Sequence, residues 1–302
     1  MKLIIQLPCF NEQDTLPVTL ACLPRTVEGF DTVEWLVVDD GSTDATSAVA
    51  RASGVNHVVA HAENLGLARA FMTGIRASLD LGADVIVNTD ADNQYNADDI
   101  PMLIKPIREG KAEFVIGTRP ISRMPRFAPV SRFLHALGCL VVRLASGTDI
   151  PDAPSGFRAF TRAAAERLNV HDTYTYTLET IIQAGSLNMA ITSVPVRVNG
   201  QLRPSRLISS IPSYILKSAR TIIRTFALYR PRQFFIPAAI ALLAPGALIR
   251  SWSNGAGALL LGLGGVLVVC AYAVELLPVR KRIRDDAERQ AGKVERSGQP
   301  SS

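Results

Sequence analysis

"ADVIVNTDADNQY", residues 83–95, decides the reading of this chain: an apolar, β-branched run breaks off into a loop that sets Asp90, Asp92 and Gln94 at alternate positions. The run has the length and composition of a buried strand. Two carboxylates held close repel unless something positive sits between them, and a divalent cation with oxygen ligands answers that need. The structural alternative is that both acids are loop residues ahead of a helix starting near Ala97.

Working outward, similar short apolar runs occupy residues 3–7, 33–38, 55–60 and 113–117, and 84–88 is the run just quoted. Helical patterns near 14–23, 44–53, 66–81 and 97–109 separate them. Strands alternating with helices predict a mostly parallel α/β sheet, whose ligands bind outside the carboxyl ends of the strands. The polar motifs fall there: "PCFNE" after the first strand, "DDGSTD" after the second, "DADNQY" after the fourth and "GTR" after the fifth. No GxGxxG follows the first strand, which argues against a dinucleotide dehydrogenase.

Beyond residue 120, "RFAPVSRFLHALGCLVVRLASG" predicts a helix ended by Gly147, "DIPDAPSGFRAF" a turn-rich loop into a short strand, "YTLETIIQAGSL" a helix and "AITSVPVRVN" an edge strand. Over 207–228, Lys217, Arg220 and Arg224 share one helical face and Ile211, Ile215, Ala219, Ile222 and Phe226 the other, the pattern of a helix lying on a membrane surface. Pro212 starts or kinks it, which leaves the place of Arg206 in the stripe open.

Two apolar stretches follow, 233–249 and 255–277, the second comfortably long enough to span a bilayer. Arg280, Lys281, Arg282 and Arg284 come after them, whereas the link between them carries only Arg250; the positive-inside rule then predicts a hairpin with both chain ends cytoplasmic. The alternative is a pair of buried helices in a soluble domain. The organisation expected is a catalytic domain over 1–200, a basic juxtamembrane helix over 201–232, two transmembrane helices over 233–279 and a cytoplasmic tail over 280–302, whose end "GKVERSGQPSS" is expected to be disordered.

Composition agrees with that division. The net charge is +5, and no Asp or Glu occurs between Thr180 and Val274 while arginines crowd the approach to the apolar stretches. Basic charge beside a membrane segment reads as attraction to lipid headgroups; without interleaved stacking aromatics, nucleic acid is not expected. Four scattered cysteines give no disulfide framework and no zinc spacing. The opening "MKLIIQLP" is too short an apolar run for a signal peptide, so the body is expected in the cytoplasm.

Taken as an ordered set, "LPCFNE", "VVDDGSTD", "ENLGLARAFMTGI", "DADNQY", "VIGTR" and "DAPSGFRAF" resemble the inverting GT-A glycosyltransferases of family 2, and among them the polyprenyl-phosphate hexosyltransferases typified by dolichol-phosphate mannose synthase. The resemblance runs through residues 1–200 and implies a GT-A, Rossmann-like, mostly parallel sheet with helices on both faces. It implies that Asp90, Asp92 and Gln94 arrange Mg²⁺ or Mn²⁺ on the donor diphosphate, with Asp90 also in the donor site. Asp39, Pro8 and Glu12 would seat the nucleoside, with help from Asp40.

Arg119 and Arg132 match positions that bind the phosphate of a lipid acceptor. Arg158 matches another, where it either binds that phosphate or braces the loop through Asp152. Asp152 would orient the acceptor or the sugar. The chain departs from the family where R-x-x-S-x-x-x-N is common, having His135 and Cys139 after Arg132; His135 is expected as an interfacial helix residue rather than a base.

The expected activity is transfer of a hexose from a UDP- or GDP-sugar to undecaprenyl or dolichyl phosphate, by a multi-pass protein of the inner (plasma) membrane. A homo-oligomer is left open, as is the sugar. Two alternatives stand beside this. One is transfer to a non-phosphate lipid, with Asp152 as base; the other is a membrane scaffold that binds nucleotide sugars without turnover. A processive polysaccharide synthase would need more membrane helices and a tryptophan-bearing acceptor motif, and Trp35 and Trp252 are in no such setting.

Overall fold

A computed structural model describes residues 1–121, 124, 129–170, 175–200, 211–250 and 255–274. The chain divides into two units, Met1–Ile222 and Ile223–Ser302.

The first unit is built on a seven-stranded sheet. Its strands are β1 (Lys2–Cys9), β2 (Thr32–Asp39), β3 (His57–Ala60), β4 (Val85–Asn88), β5 (Phe114–Thr118), β6 (Arg158–Thr161) and β7 (Ile191–Pro195), in the order β3-β2-β1-β4-β6-β5-β7. All pairings are parallel except the two made by β6, which runs antiparallel to both β4 and β5. The first five strands fall on the apolar runs read from the sequence, and β7 is the edge strand expected from "AITSVPVRVN".

Crossover helices α1 (Leu16–Cys22), α2 (Thr46–Ala52), α3 (Leu67–Asp80) and α4 (Ile100–Arg108) connect the parallel strands. Helices on the sheet explain the continuous apolar runs: Leu3, Ile4, Ile5 and Leu7 of β1 are all buried, as strands covered on two faces must be. Each such side chain contributes on the order of 1.5–3 kcal/mol by leaving water.

The helix expected over 97–109 opens as a 3₁₀ turn, Ala97–Asp99, whose cap is Asn96, with its side chain accepting from the Asp98 N–H at 3.0 Å. Capping therefore falls to Asn96 and not to Asp90 or Asp92. Helix α5 (Pro129–Ser146) ends at Gly147, which takes φ +68°. A short helix α6 (Arg162–Arg167) follows β6, and α7 (Thr177–Ser186) packs on α5 so closely that a β-carbon on Gly185 would overlap the Ser146 carbonyl.

Helix α8 (Ile211–Tyr229) has Pro212 in its first turn, so the proline starts it. Lys217, Arg220 and Arg224 are exposed, as expected, and Ile222 is buried. Leu216 and Ile223 stay exposed beside the cations. Arg203, Arg206 and the cluster 280–284 lie outside the described residues, as does the tail expected to be disordered.

The second unit contains α9 (Pro231–Arg250) and α10 (Gly255–Val274). Both are long and apolar enough to cross a membrane, over Pro231–Ile249 and Gly255–Val274, and most of each is exposed. They pack on each other through small residues: a β-carbon on Gly246 would come 2.9 Å from Leu260 Cβ, and one on Gly264 2.6 Å from Leu243 Cγ. Close approach at glycines is how apolar helices gain contact where burial from water offers little.

Candidate active site

Because β1 pairs with both β2 and β4, the trailing ends of these strands stand side by side, Cys9 opposite Asp39 and Gln6 opposite Asn88. Their loops meet at one edge of the sheet.

Asp39 closes β2 as a buried carboxylate that accepts from the Ser42 N–H at 2.9 Å and from the Ser47 hydroxyl. Gly41 makes the turn at φ +70°, and a β-carbon there would strike the Glu63 main chain. Glu12 is buried, accepts from Thr15 Oγ1 at 2.5 Å, and its N–H donates to Thr46 Oγ1 at 2.8 Å. Pro8 lies in β1 opposite Val38. Asp40 is engaged inside the fold: Oδ1 meets His61 Nδ1 at 2.7 Å and accepts from the Leu65 N–H, and Oδ2 accepts from the Gly66 N–H at 2.8 Å. It anchors the segment that enters α3. Asp44 accepts from the Thr46 N–H at 2.9 Å, in the first turn of α2.

After β4, Asp92 Oδ1 accepts from the Gln94 N–H at 3.1 Å, and Asn93 takes the left-handed φ of +55° that asparagine tolerates. The segment following β7 holds this loop from outside. Asn199 N–H donates to the Gln94 carbonyl at 2.9 Å, Asn199 Nδ2 donates to the Asn93 carbonyl at 3.1 Å, and Arg197 binds Asp99 at 2.7 and 2.9 Å. From the sequence Arg197 counts among the basic residues approaching the apolar stretches, whereas it is bound to Asp99 here; Asn199 was missed, its local signal being a short polar stretch after an edge strand.

Tyr95 ties the acidic loop to the loop before β6. Its hydroxyl accepts from the Gly156 N–H at 2.8 Å, its ring stacks on Phe157, and burial pushes its phenol up to about 12. Gly156 in turn lies directly on the Asp90 carboxylate, leaving no room for a side chain. No three His, Cys, Asp or Glu side chains form a metal cluster among the described residues. Two carboxylates with an amide oxygen suit a hard divalent cation that takes its remaining ligands from substrate phosphates and water. The residues present therefore fit Mg²⁺ or Mn²⁺.

The cationic side of the site is organised by Asp152, a buried carboxylate. Arg119 grips it through its main-chain N–H at 3.0 Å, Nε at 2.8 Å and Nη2 at 2.9 Å, and His135 Nε2 of α5 meets Oδ1 at 3.0 Å. Burial alone would raise the Asp152 carboxyl, but Arg119 and His135 hold it well below the usual carboxylate range. Burial likewise works against the His135 cation and is outweighed by the hydrogen bonds to Asp152 and Cys139, so its pKa rises to about 9. One turn before His135, Arg132 donates from Nη2 to the Met124 carbonyl at 3.0 Å, while its buried Nε meets no acceptor among the described residues.

Arg158 is elsewhere. It is 0% exposed, and its guanidinium donates to the carbonyls of Ala153, Ser155 and Thr177 and to Thr180 Oγ1. Burial pulls its pKa down to about 10. Enclosed in this way it cannot reach a lipid phosphate. It braces the loop through main-chain carbonyls, because the carboxylate expected to receive it belongs to Arg119.

Comparison with known proteins agrees with the geometry. Residues 4–168 match glycosyl transferase family 2. An undecaprenyl-phosphate mannosyltransferase of Micrococcus luteus is 28% identical over 70% of this chain and 89% of its own. A UDP-N-acetylglucosamine–dolichyl-phosphate N-acetylglucosaminyltransferase of Methanococcus voltae is 29% identical over 63% of this chain and 83% of its own. Among solved structures, glucosyl-3-phosphoglycerate synthase from Mycobacterium tuberculosis, in complex with Mn²⁺, UDP and glucosyl-3-phosphoglycerate, superposes with a TM-score of 0.58 at 22% identity, over 75% of this chain and 78% of that one. The fold is GT-A.

Proposed function

The chain belongs to glycosyl transferase family 2, and from that premise we propose that it is a membrane-anchored, metal-dependent, inverting hexosyltransferase that moves a sugar from a nucleoside diphosphate to a polyprenyl phosphate. The observation that carries this reading is the pairing, through Tyr95 and Gly156, of an acidic loop with a loop whose Asp152 organises Arg119 and His135. Such a site accommodates one anion on a metal and a second on cations. The relatives from Micrococcus luteus and Methanococcus voltae are named for lipid-phosphate acceptors, and the Mycobacterium tuberculosis structure holds Mn²⁺ with UDP.

In the mechanism, Asp39, Glu12 and Pro8 seat the nucleoside. Asp90, Asp92 and Gln94 would hold Mg²⁺ or Mn²⁺, which would supply Lewis-acid neutralisation of charge on the diphosphate. Arg119 presents its Nη1, the nitrogen Asp152 does not take, and Arg132 its guanidinium, to the acceptor phosphate. A phosphate oxygen forms the bond to the anomeric carbon as the bond to the nucleoside diphosphate breaks on the opposite face, so the configuration inverts. The acceptor oxygen is already deprotonated at neutral pH, and no general base is needed. Arginines hold two anions closer together than they would sit unaided.

Helices α9 and α10 keep the site at the headgroup level, both chain ends face the cytoplasm, and the basic stripe of α8 meets anionic lipid. The test is transfer of radiolabelled sugar from a panel of nucleotide sugars, on membranes containing the full chain. Label should pass to a short-chain polyprenyl phosphate. Label passing only to diacylglycerol, or nucleotide binding without any transfer, overturns the proposal.

A further inference from the structure

Asp152 accepts four hydrogen bonds, three from Arg119 and one from His135. The single positive charge of Arg119 is thereby cancelled by the carboxylate it grips. With a neutral imidazole the cluster carries no net charge, and a phosphate brought to it gains no net attraction from these three side chains. With an imidazolium the same three side chains carry +1.

The ring geometry identifies the nitrogen that titrates. Nε2 faces a carboxylate, an acceptor only, so it carries hydrogen in both states. Nδ1 is the atom that gains or loses the proton, and Cys139 Sγ stands 3.8 Å from each ring nitrogen.

We infer that His135 is a positioning residue of the acceptor site: as imidazolium it supplies, through Asp152, the surplus positive charge that lets Arg119 hold a phosphate, and acceptor affinity therefore follows its protonation. The inference rests on the lipid-phosphate reading above. Charged and titratable groups stand on each element packed around His135. On α5 itself stand Arg132 and Cys139. Arg119 approaches from the end of β5, and Tyr95 and Asp90 act on that arginine from the acidic loop. On α7, which packs against α5, the titratable residue is Glu179, bonded to Gln183. Arg158 of β6 is tied to main-chain carbonyls.

A phosphate monoester loses its second proton near pH 6, so above about pH 7 the acceptor's charge is constant and any change in its binding reports on the protein. The pKa of His135, about 9, puts its loss of charge inside an accessible range.

The experiment uses the full chain in lipid nanodiscs. It measures KM and kcat for a short-chain polyprenyl phosphate and KM for the donor between about pH 7 and pH 10. The wild type should show an acceptor KM that rises about tenfold through pH 9, with the donor KM unchanged, as expected for loss of one charged contact. His135→Gln should show the raised acceptor KM at every pH, and His135→Lys should keep the low value to about pH 10.

A wild-type acceptor KM that stays flat through pH 9, or a His135→Gln variant with the wild-type profile, overturns the inference while leaving the functional reading intact. Should His135→Gln fail to fold, the wild-type profile and His135→Lys still decide it. Absence of transfer to polyprenyl phosphate by the wild type at every pH overturns the functional reading and this inference with it.

Discussion

A β-carbon added to Gly156 would fall 2.8 Å from Asp90 Oδ1 and 2.9 Å from Oδ2. A β-carbon essentially never sits that close to another heavy atom, and the obstacle is a proposed metal ligand, so the acid must move. Gly156→Ala is expected to lower transfer on the order of a hundredfold or more, the scale for misplacing an electrostatic stabiliser. The overall fold should survive, because the same β-carbon's other near neighbour is the Tyr176 hydroxyl at 3.0 Å and not main chain. Circular dichroism beside a transfer assay checks both halves.

Asp92→Ala separates metal from nucleotide. The variant should fold, since Asp92 supports its loop by one 3.1 Å hydrogen bond. In a thermal-shift series with nucleoside diphosphates, the extra stabilisation by Mn²⁺ seen with the wild type should disappear. An undiminished Mn²⁺-dependent shift, or near wild-type turnover, would remove the acidic loop from the metal site.

Arg158→Lys probes a brace. Four acceptors lose a fixed guanidinium, and each one left unpaired costs about 1–3 kcal/mol. The expected outcome is a lower melting temperature and a smaller active fraction, with the acceptor KM of the folded molecules unchanged. A raised acceptor KM at full stability would instead return Arg158 to the phosphate site.

The contact between α5 and the Asp152 loop should weaken at both ends of the pH scale. His135 is raised from its ordinary 6.5 to about 9, so its contribution is complete below about pH 6.5 and is lost as pH rises through 9. Asp152 is depressed from 3.8, so its contribution is complete above about pH 4 and is lost only in strong acid. Amide hydrogen exchange in the first turns of α5, corrected for intrinsic rates, should be slowest between about pH 4 and 6.5 and should accelerate above 9.

Removing residues 234–302 tests the anchor. Nucleotide binding should persist, because Asp39 and Glu12 belong to the first unit. Transfer to a long-chain acceptor embedded in membranes should collapse. Equal activity before and after truncation would deny the apolar helices that role.

The half-buried edge strand β3 was legible through its β-branched pair Val58 and Val59, and strands β1, β2, β4 and β5 because a strand buried on two faces is written largely in Val, Ile and Leu, a local signature. The same holds for α9 and α10. Asp90, Asp92 and Gln94 were legible as a group because they lie within five residues of one another. What the sequence hid was partnership across distance. Arg119 and Asp152 are 33 positions apart, Tyr95 and Gly156 are 61, and Asn199 and Asn93 are 106. Hydrogen bonds of that span leave no periodicity. Asp39 and Asp40 show the converse: neighbours of one chemistry, of which Asp39 closes its own turn and Asp40 holds the segment entering α3.

Strand β6 runs against β4 and β5, and its direction has a consequence for how the protein could be altered. Reversal brings the start of β6, and hence the loop ending at Phe157, to the border where β4 and β5 finish. Residues 147–157 therefore carry two duties within one short span: Asp152 gathers Arg119 and His135, while Gly156 rests on Asp90 and Tyr95. A segment exchanged here has to keep positions 152, 156 and 157 as they are, or the change is transmitted across the strand border to the acidic loop.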